Sequence, residues 1–107
     1  MHDKEVTPAS NQIGMYAGEK GSAVVYLSIY RSDDDATAAY RKMSRSIEKG
    51  NLLFGEYRAI KLKGIDASFC VGQGQSHYFF VDDERLYWLA ADATIAEGFA
   101  QELVDGL

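Results

Sequence analysis

Apolar and polar residues alternate most clearly over residues 23–30, which read Ala-Val-Val-Tyr-Leu-Ser-Ile-Tyr. Successive side chains of a strand point to opposite faces, so Val25 and Leu27 share one face, and Tyr26 and Tyr30 share the other. The pattern therefore predicts a strand with one aliphatic face and one face that carries two tyrosines.

Five further strands are predicted from shorter alternating runs that are bounded by glycine or acidic turn residues. One precedes the run just described, over residues 12–17, and four follow it, over residues 56–63, 65–71, 77–81 and 86–90. The connections between these runs are short, which favours antiparallel hairpins over parallel strands.

Two helices are predicted from apolar spacing of three to four residues. The first begins after Ser32, whose hydroxyl suits an N-cap, and ends before Gly50. The second begins at Asp92 and carries Ile95 and Phe99 on one stripe.

The predicted order is ββαββββα, which indicates an α+β protein with one antiparallel sheet of five or six strands. We expect two layers with both helices on one face of the sheet, and a ferredoxin-like variant fits this description. Residues 1–11 are polar and aperiodic, so we interpret them as an N-terminal arm and residues 12–107 as one domain.

Composition narrows the classes of function. The chain has 107 residues and a net charge of −5, which disfavours nucleic acid and anionic membranes as partners because the long-range field has the wrong sign. No apolar run is long enough to span a bilayer. We expect a soluble protein, either cytoplasmic or an extracytoplasmic domain trimmed from a longer precursor; a single cysteine gives no disulfide to decide between them.

The aromatic residues suggest a binding surface. If both helices cover one face of the sheet, the other face is open to solvent. Tyrosine and tryptophan suit a partly solvated surface, because each combines an apolar ring with a polar hydrogen-bonding group. The residues predicted to form this surface are Tyr26, Tyr30, Tyr78, Tyr87 and Trp88. Three interpretations stay open at this point: ordinary solvated surface, the interface of a homodimer, and a site for a small ligand or a protein partner.

Cys70 and His77 are the chemically distinctive residues outside the arm. They lie on neighbouring predicted strands, so they can approach across a hairpin, and a Cys–His pair can generate a thiolate nucleophile. A cysteine between Phe69 and Val71 is more typical of a small buried apolar residue, however, and no orienting third residue is evident.

The sequence predicts no metal site and no cofactor. The acidic runs at residues 33–35 and 82–84 lack the spacing of a calcium loop and suit a helix start and a turn. Gly72-x-Gly74 lacks the third glycine of a dinucleotide-binding loop and precedes a strand rather than a helix.

The resulting prediction is a non-enzymatic binding or interaction module that self-associates through a tyrosine-rich sheet face. The alternative is a small enzyme with a site near the hairpin between Cys70 and His77.

Overall fold

The computed structural model describes residues 7–50 and 53–107. Over these residues the element order is ββαββββα, which confirms the predicted fold class and order. The elements are β1 (Ser10–Gly18), β2 (Gly21–Ile29), α1 (Asp33–Glu48), β3 (Gly55–Leu62), β4 (Ile65–Gly72), β5 (Gln75–Asp82), β6 (Arg85–Ala91) and α2 (Ala93–Asp105). Strand β1 begins two residues before the boundary predicted for the polar arm, and residues 1–6 of that arm lie outside the described residues.

All six strands form one antiparallel sheet in the order β1-β2-β6-β5-β4-β3. Four two-residue turns connect the hairpins. In the turn between β4 and β5, Gln73 and Gly74 both have positive φ, 54° and 77°, the conformation that matches the twist of hairpin strands. The predicted strands end at residue 71 and resume at residue 77, whereas in the structure Gly72 belongs to β4 and Gln75 and Ser76 belong to β5.

The helices lie on opposite faces of the sheet, so the prediction that both cover one face is wrong. Phe79 and Phe80 are neighbours on β5 and must point to opposite faces. Phe79 packs in a cluster with Ile47 of α1, whereas Phe80 packs in a cluster with Ala96 and Ala100 of α2. The sheet is the middle of three layers, and the arrangement is not the two-layer or ferredoxin-like one expected.

The burial pattern of the central strands explains why a helix lies on each face of the sheet. Residues 67–70 of β4, 76–80 of β5 and 89–91 of β6 are buried without interruption. Continuous burial is typical of strands that are covered on both faces, whereas a half-solvated strand alternates. Strands β4 to β6 therefore require a helix on each side.

Asp92 has an unexpected role at the start of α2. It occupies the N-cap position, but its carboxylate makes no capping hydrogen bond and instead accepts one from the backbone N–H of Ser22, at 2.9 Å. The backbone N–H of Asp92 donates in turn to the carbonyl of Ser22, at 3.1 Å. Asp92 thus joins the first turn of α2 to the start of β2. Ser32, by contrast, caps α1 as predicted, accepting from the N–H of Asp35.

Candidate functional site: the open half of the sheet

Helix α1 covers β3, β4, β5 and part of β6, but it leaves β1 and most of β2 uncovered on the same side of the sheet. Two rows of side chains cross this area in register. Ile13, Tyr26 and Trp88 are directly opposite one another on β1, β2 and β6, and Met15 and Val24 form the next row with Ala90. We call the apolar surface formed by Ile13, Met15, Val24, Tyr26 and Trp88 the open face.

The open face is exposed and uncharged. Met15 is 79% exposed, Ile13 64% and Tyr26 44%. Every position of β1, β2 and β6 that points to this side of the sheet carries an uncharged residue. Contiguous exposed apolar side chains mark binding surfaces more often than isolated ones do.

A pocket of about 370 Å³ adjoins the open face where the sheet meets α1. Its floor includes Trp88 and His77, and Phe54 and Met43 form part of its wall. The Trp88 ring stacks on that of Phe79, with centroids 4.6 Å apart, and Phe54 meets both Trp88 and His77 edge to face. Phe79 and Phe54 therefore hold the aromatic floor in place.

Both nitrogens of His77 are engaged. Nδ1 accepts a hydrogen bond from Nε1–H of Trp88 at 3.0 Å, and Nε2 lies 2.9 Å from the carbonyl oxygen of Gly72. Because a carbonyl only accepts, this arrangement requires the neutral imidazole with its proton on Nε2. Burial lowers the pKa of His77, and the hydrogen bond to Gly72 raises it by a lesser amount.

Cys70 lies opposite His77 in the β4–β5 register, as the sequence predicted, but its properties do not suit a nucleophile. Its side chain is fully buried, and burial raises the pKa of the thiol to about 11. Since both nitrogens of His77 are directed at other groups, His77 is not placed to accept the thiol proton. The pair is a packing feature of the sheet.

The five aromatic residues predicted to share one surface do not share it. Tyr26 and Trp88 lie on the open face, and Tyr30 is on the same side but buried beneath α1, 7% exposed. Tyr78 and Tyr87 point to the opposite side and pack in the core beneath α2. This separation corrects the expectation that they share one surface. It follows from strand alternation and register: Tyr87 and Trp88 are neighbours on β6 and point to opposite faces, and the β5–β6 register places Tyr78 on the side of Tyr87.

Sequence reasoning missed the aliphatic part of the surface. Ile13, Met15 and Val24 lie on it because β1 pairs with β2 and extends the sheet beyond α1. The composition of Ser10–Gly18 could have predicted this surface. It is an alternating strand without charge or proline, which is unusual for an edge strand.

Within the part of the chain that the structure describes, no cluster of three or more His, Cys, Asp or Glu residues could hold a metal ion. Neither helix there has the length and apolar character needed to cross a membrane. Comparison of the chain with protein-family models, with curated proteins and with solved structures gave no match.

Proposed function

We propose that this protein is a non-enzymatic interaction module that self-associates through its open face. The observation that carries the proposal is the uncharged apolar surface in which Ile13, Met15 and Tyr26 are exposed beside the half-buried Trp88. Aromatic residues and methionine are enriched at protein interfaces, and charged residues are depleted at interface centres.

The charge of the rest of the molecule opposes contact between copies, but it favours the open face over the other surfaces as the place of contact. The chain carries a net charge of −5, so two copies repel one another over much of their surface. The open face has no charge of its own, which makes it a region where close approach of a second copy costs little electrostatically. Closed two-fold dimers are the commonest protein assemblies.

The enzymatic alternative lacks a comparable observation. The buried Cys70 thiol with its raised pKa and the fully engaged His77 both argue against a thiolate mechanism at the hairpin. The lining of the pocket beside Trp88 contains two titratable side chains, Tyr26 and His77, and both nitrogens of His77 are engaged.

Self-association is tested by sedimentation velocity over a wide range of protein concentration, with native mass spectrometry as a check for bound ligand. We expect a concentration-dependent dimer without added mass. Tyr26→Ser should weaken the dimer at least about tenfold, because truncating a central interface aromatic typically costs more than about 1.4 kcal/mol.

Leu107→Ser is the matched control, because Leu107 is also 44% exposed but lies at the end of the chain, beyond α2. It should leave the dimer unchanged. A protein that stays monomeric at all concentrations, or a dimer that is equally insensitive to both substitutions, would contradict the proposal.

A further inference from the structure

The two edges of the sheet differ in how they are protected. Strand β3 forms one edge and carries Glu56, Arg58 and Lys61, with a register shift between Gly55 and Arg58. Charges and bulges on an edge strand discourage pairing with another chain.

Strand β1 forms the other edge and has none of these features. It is nine residues long, Ser10–Gly18, and contains no charged residue and no proline. Its register with β2 runs without a shift from Ser10 to Gly18. Within residues 7–50 and 53–107, no strand pairs with its outer side. A long, regular, uncharged edge is a template for adding a strand.

The hairpin geometry fixes which backbone groups of β1 point outward. Gly18 and Gly21 flank the two-residue turn and form a hydrogen-bonded pair, and such pairs alternate along an antiparallel ladder. On the other side of β2, the N–H of Asp92 donates to the carbonyl of Ser22, as this alternation requires. The positions of β1 whose N–H and C=O groups face away from β2 are therefore Asn11, Ile13, Met15 and Ala17.

These four positions are symmetric about Gly14. We propose that two copies of this chain pair β1 against β1 in antiparallel orientation, with the two-fold axis at Gly14, so that their six-stranded sheets become one continuous sheet. Ile13 then lies opposite Met15 of the second copy, and Asn11 lies opposite Ala17. No charged pair is created across the junction, and the two open faces merge into one apolar surface. This inference rests on the self-association proposed above and places the contact at the β1 edge of the open face, where Ile13 and Met15 meet the second copy. Tyr26 lies on β2, one strand away from this junction.

The register is tested with Gly14→Cys under mild oxidation. The two Gly14 positions form a non-hydrogen-bonded pair, whose Cα atoms are about 4.5 Å apart, within the range that a disulfide spans. A Cβ at position 14 meets the ring of Tyr16 at 3.3 Å, a contact that an exposed side chain can relieve by a small rotation. We expect an intermolecular disulfide.

Gln12→Cys is the matched control. In this register the two Gln12 residues are offset by four positions, about 13 Å along the strands, which is too far for a disulfide. Gly14→Cys should therefore give at least about tenfold more covalent dimer than Gln12→Cys. Should Gly14→Cys fold poorly, a mixture of Ile13→Cys and Met15→Cys proteins gives the second measurement, with a mixed disulfide expected in preference to either homodimer.

The outcomes separate the two proposals. A protein that dimerises in solution but forms no preferential crosslink at position 14, or between positions 13 and 15, overturns β1 pairing and leaves self-association through the open face intact. A protein that does not dimerise contradicts both proposals. Equal crosslinking of Gly14→Cys and Gln12→Cys indicates random collision and also overturns the register.

Discussion

The indole N–H of Trp88 donates a hydrogen bond to Nδ1 of His77, at 3.0 Å, and so links β6 to β5 on the side of α1. His77 is 3% exposed, and its other nitrogen is bonded to the carbonyl of Gly72. If Nδ1 of His77 also carried a proton, two hydrogen-bond donors would face each other and the bond from Trp88 would be lost. The folded protein therefore requires neutral His77.

Acid should destabilise the protein through His77. Its pKa is lowered from 6.5 in the folded state, so the unfolded chain binds this proton more readily. The free energy of unfolding should therefore fall as the pH decreases through about 6.5, and the loss ends below the folded pKa. Urea denaturation at pH 7.5 and at pH 5.5 measures this difference while exposed carboxylates stay largely ionised.

Two variants assign the effect to one side chain. His77→Phe should be less stable at both pH values, because it leaves Gly72 and Trp88 without their partner, but should lose most of the pH dependence. His2→Gln removes the other histidine of the chain and should keep the wild-type dependence. Persistence of the pH effect in His77→Phe would show that another group titrates.

Ser68 should be the most sensitive polar residue of the core. It is fully buried, and its hydroxyl contacts Tyr40 Oη at 2.7 Å, Tyr57 Oη at 3.1 Å and Ser44 Oγ at 3.3 Å. One hydroxyl can donate once and accept twice, so these contacts use its full capacity. Ser68→Ala should lower the free energy of unfolding by about 1–3 kcal/mol, because three polar groups lose a shared partner.

Chemical denaturation of a mutant cycle checks the Ser68 network. The double variant Ser68→Ala with Tyr40→Phe should cost less than the sum of the two single variants, because they remove the same interaction. Ser46→Ala, at an exposed position of α1, should change stability by no more than about 0.5 kcal/mol. Additive effects at Ser68 and Tyr40 would contradict a shared network.

Most of the fold was predictable because its signals are local. The alternation around Tyr26, the cap at Ser32 and the short turns determine the number and order of the elements, and these predictions are confirmed. The layer arrangement depends on which strands are buried on both faces. The adjacent apolar residues Phe79 and Phe80 are typical of a strand buried on both faces, a signal that the prediction of a one-sided sheet did not take into account.

The candidate site was predicted only in part, for a related reason. Tyr26 and Trp88 share a face because β2 pairs with β6, although four elements separate these two strands in the chain. No local pattern specifies that pairing, and without it the face of Tyr87 relative to Tyr26 is undetermined. The same pairing extends the sheet past α1 and leaves Ile13 exposed.

Gly72 should tolerate no side chain. A Cβ at this position would lie 2.2 Å from the carbonyl oxygen of Leu53 and 2.8 Å from a ring carbon of Phe54. Gly72→Ala must therefore displace the segment that packs on His77 and Trp88, with an expected loss of about 1–3 kcal/mol. Gly55→Ala is the control, because a Cβ there meets nothing within 4 Å and its backbone has no positive φ. Equal thermal stability of the two variants would contradict the close approach at Gly72.

Native Cys70 should resist alkylation. A pKa raised from 9.0 to about 11 lowers the thiolate fraction at neutral pH by about a hundredfold, and the side chain is fully buried. Iodoacetamide should therefore label Cys70 only as fast as the sheet opens, with a large increase in rate in urea. Ser46→Cys adds an exposed thiol on α1 and should be labelled rapidly in the folded protein, which shows that the reagent is active. Rapid labelling of Cys70 in the native protein would instead require an accessible thiolate, and would restore the enzymatic alternative at the hairpin between Cys70 and His77.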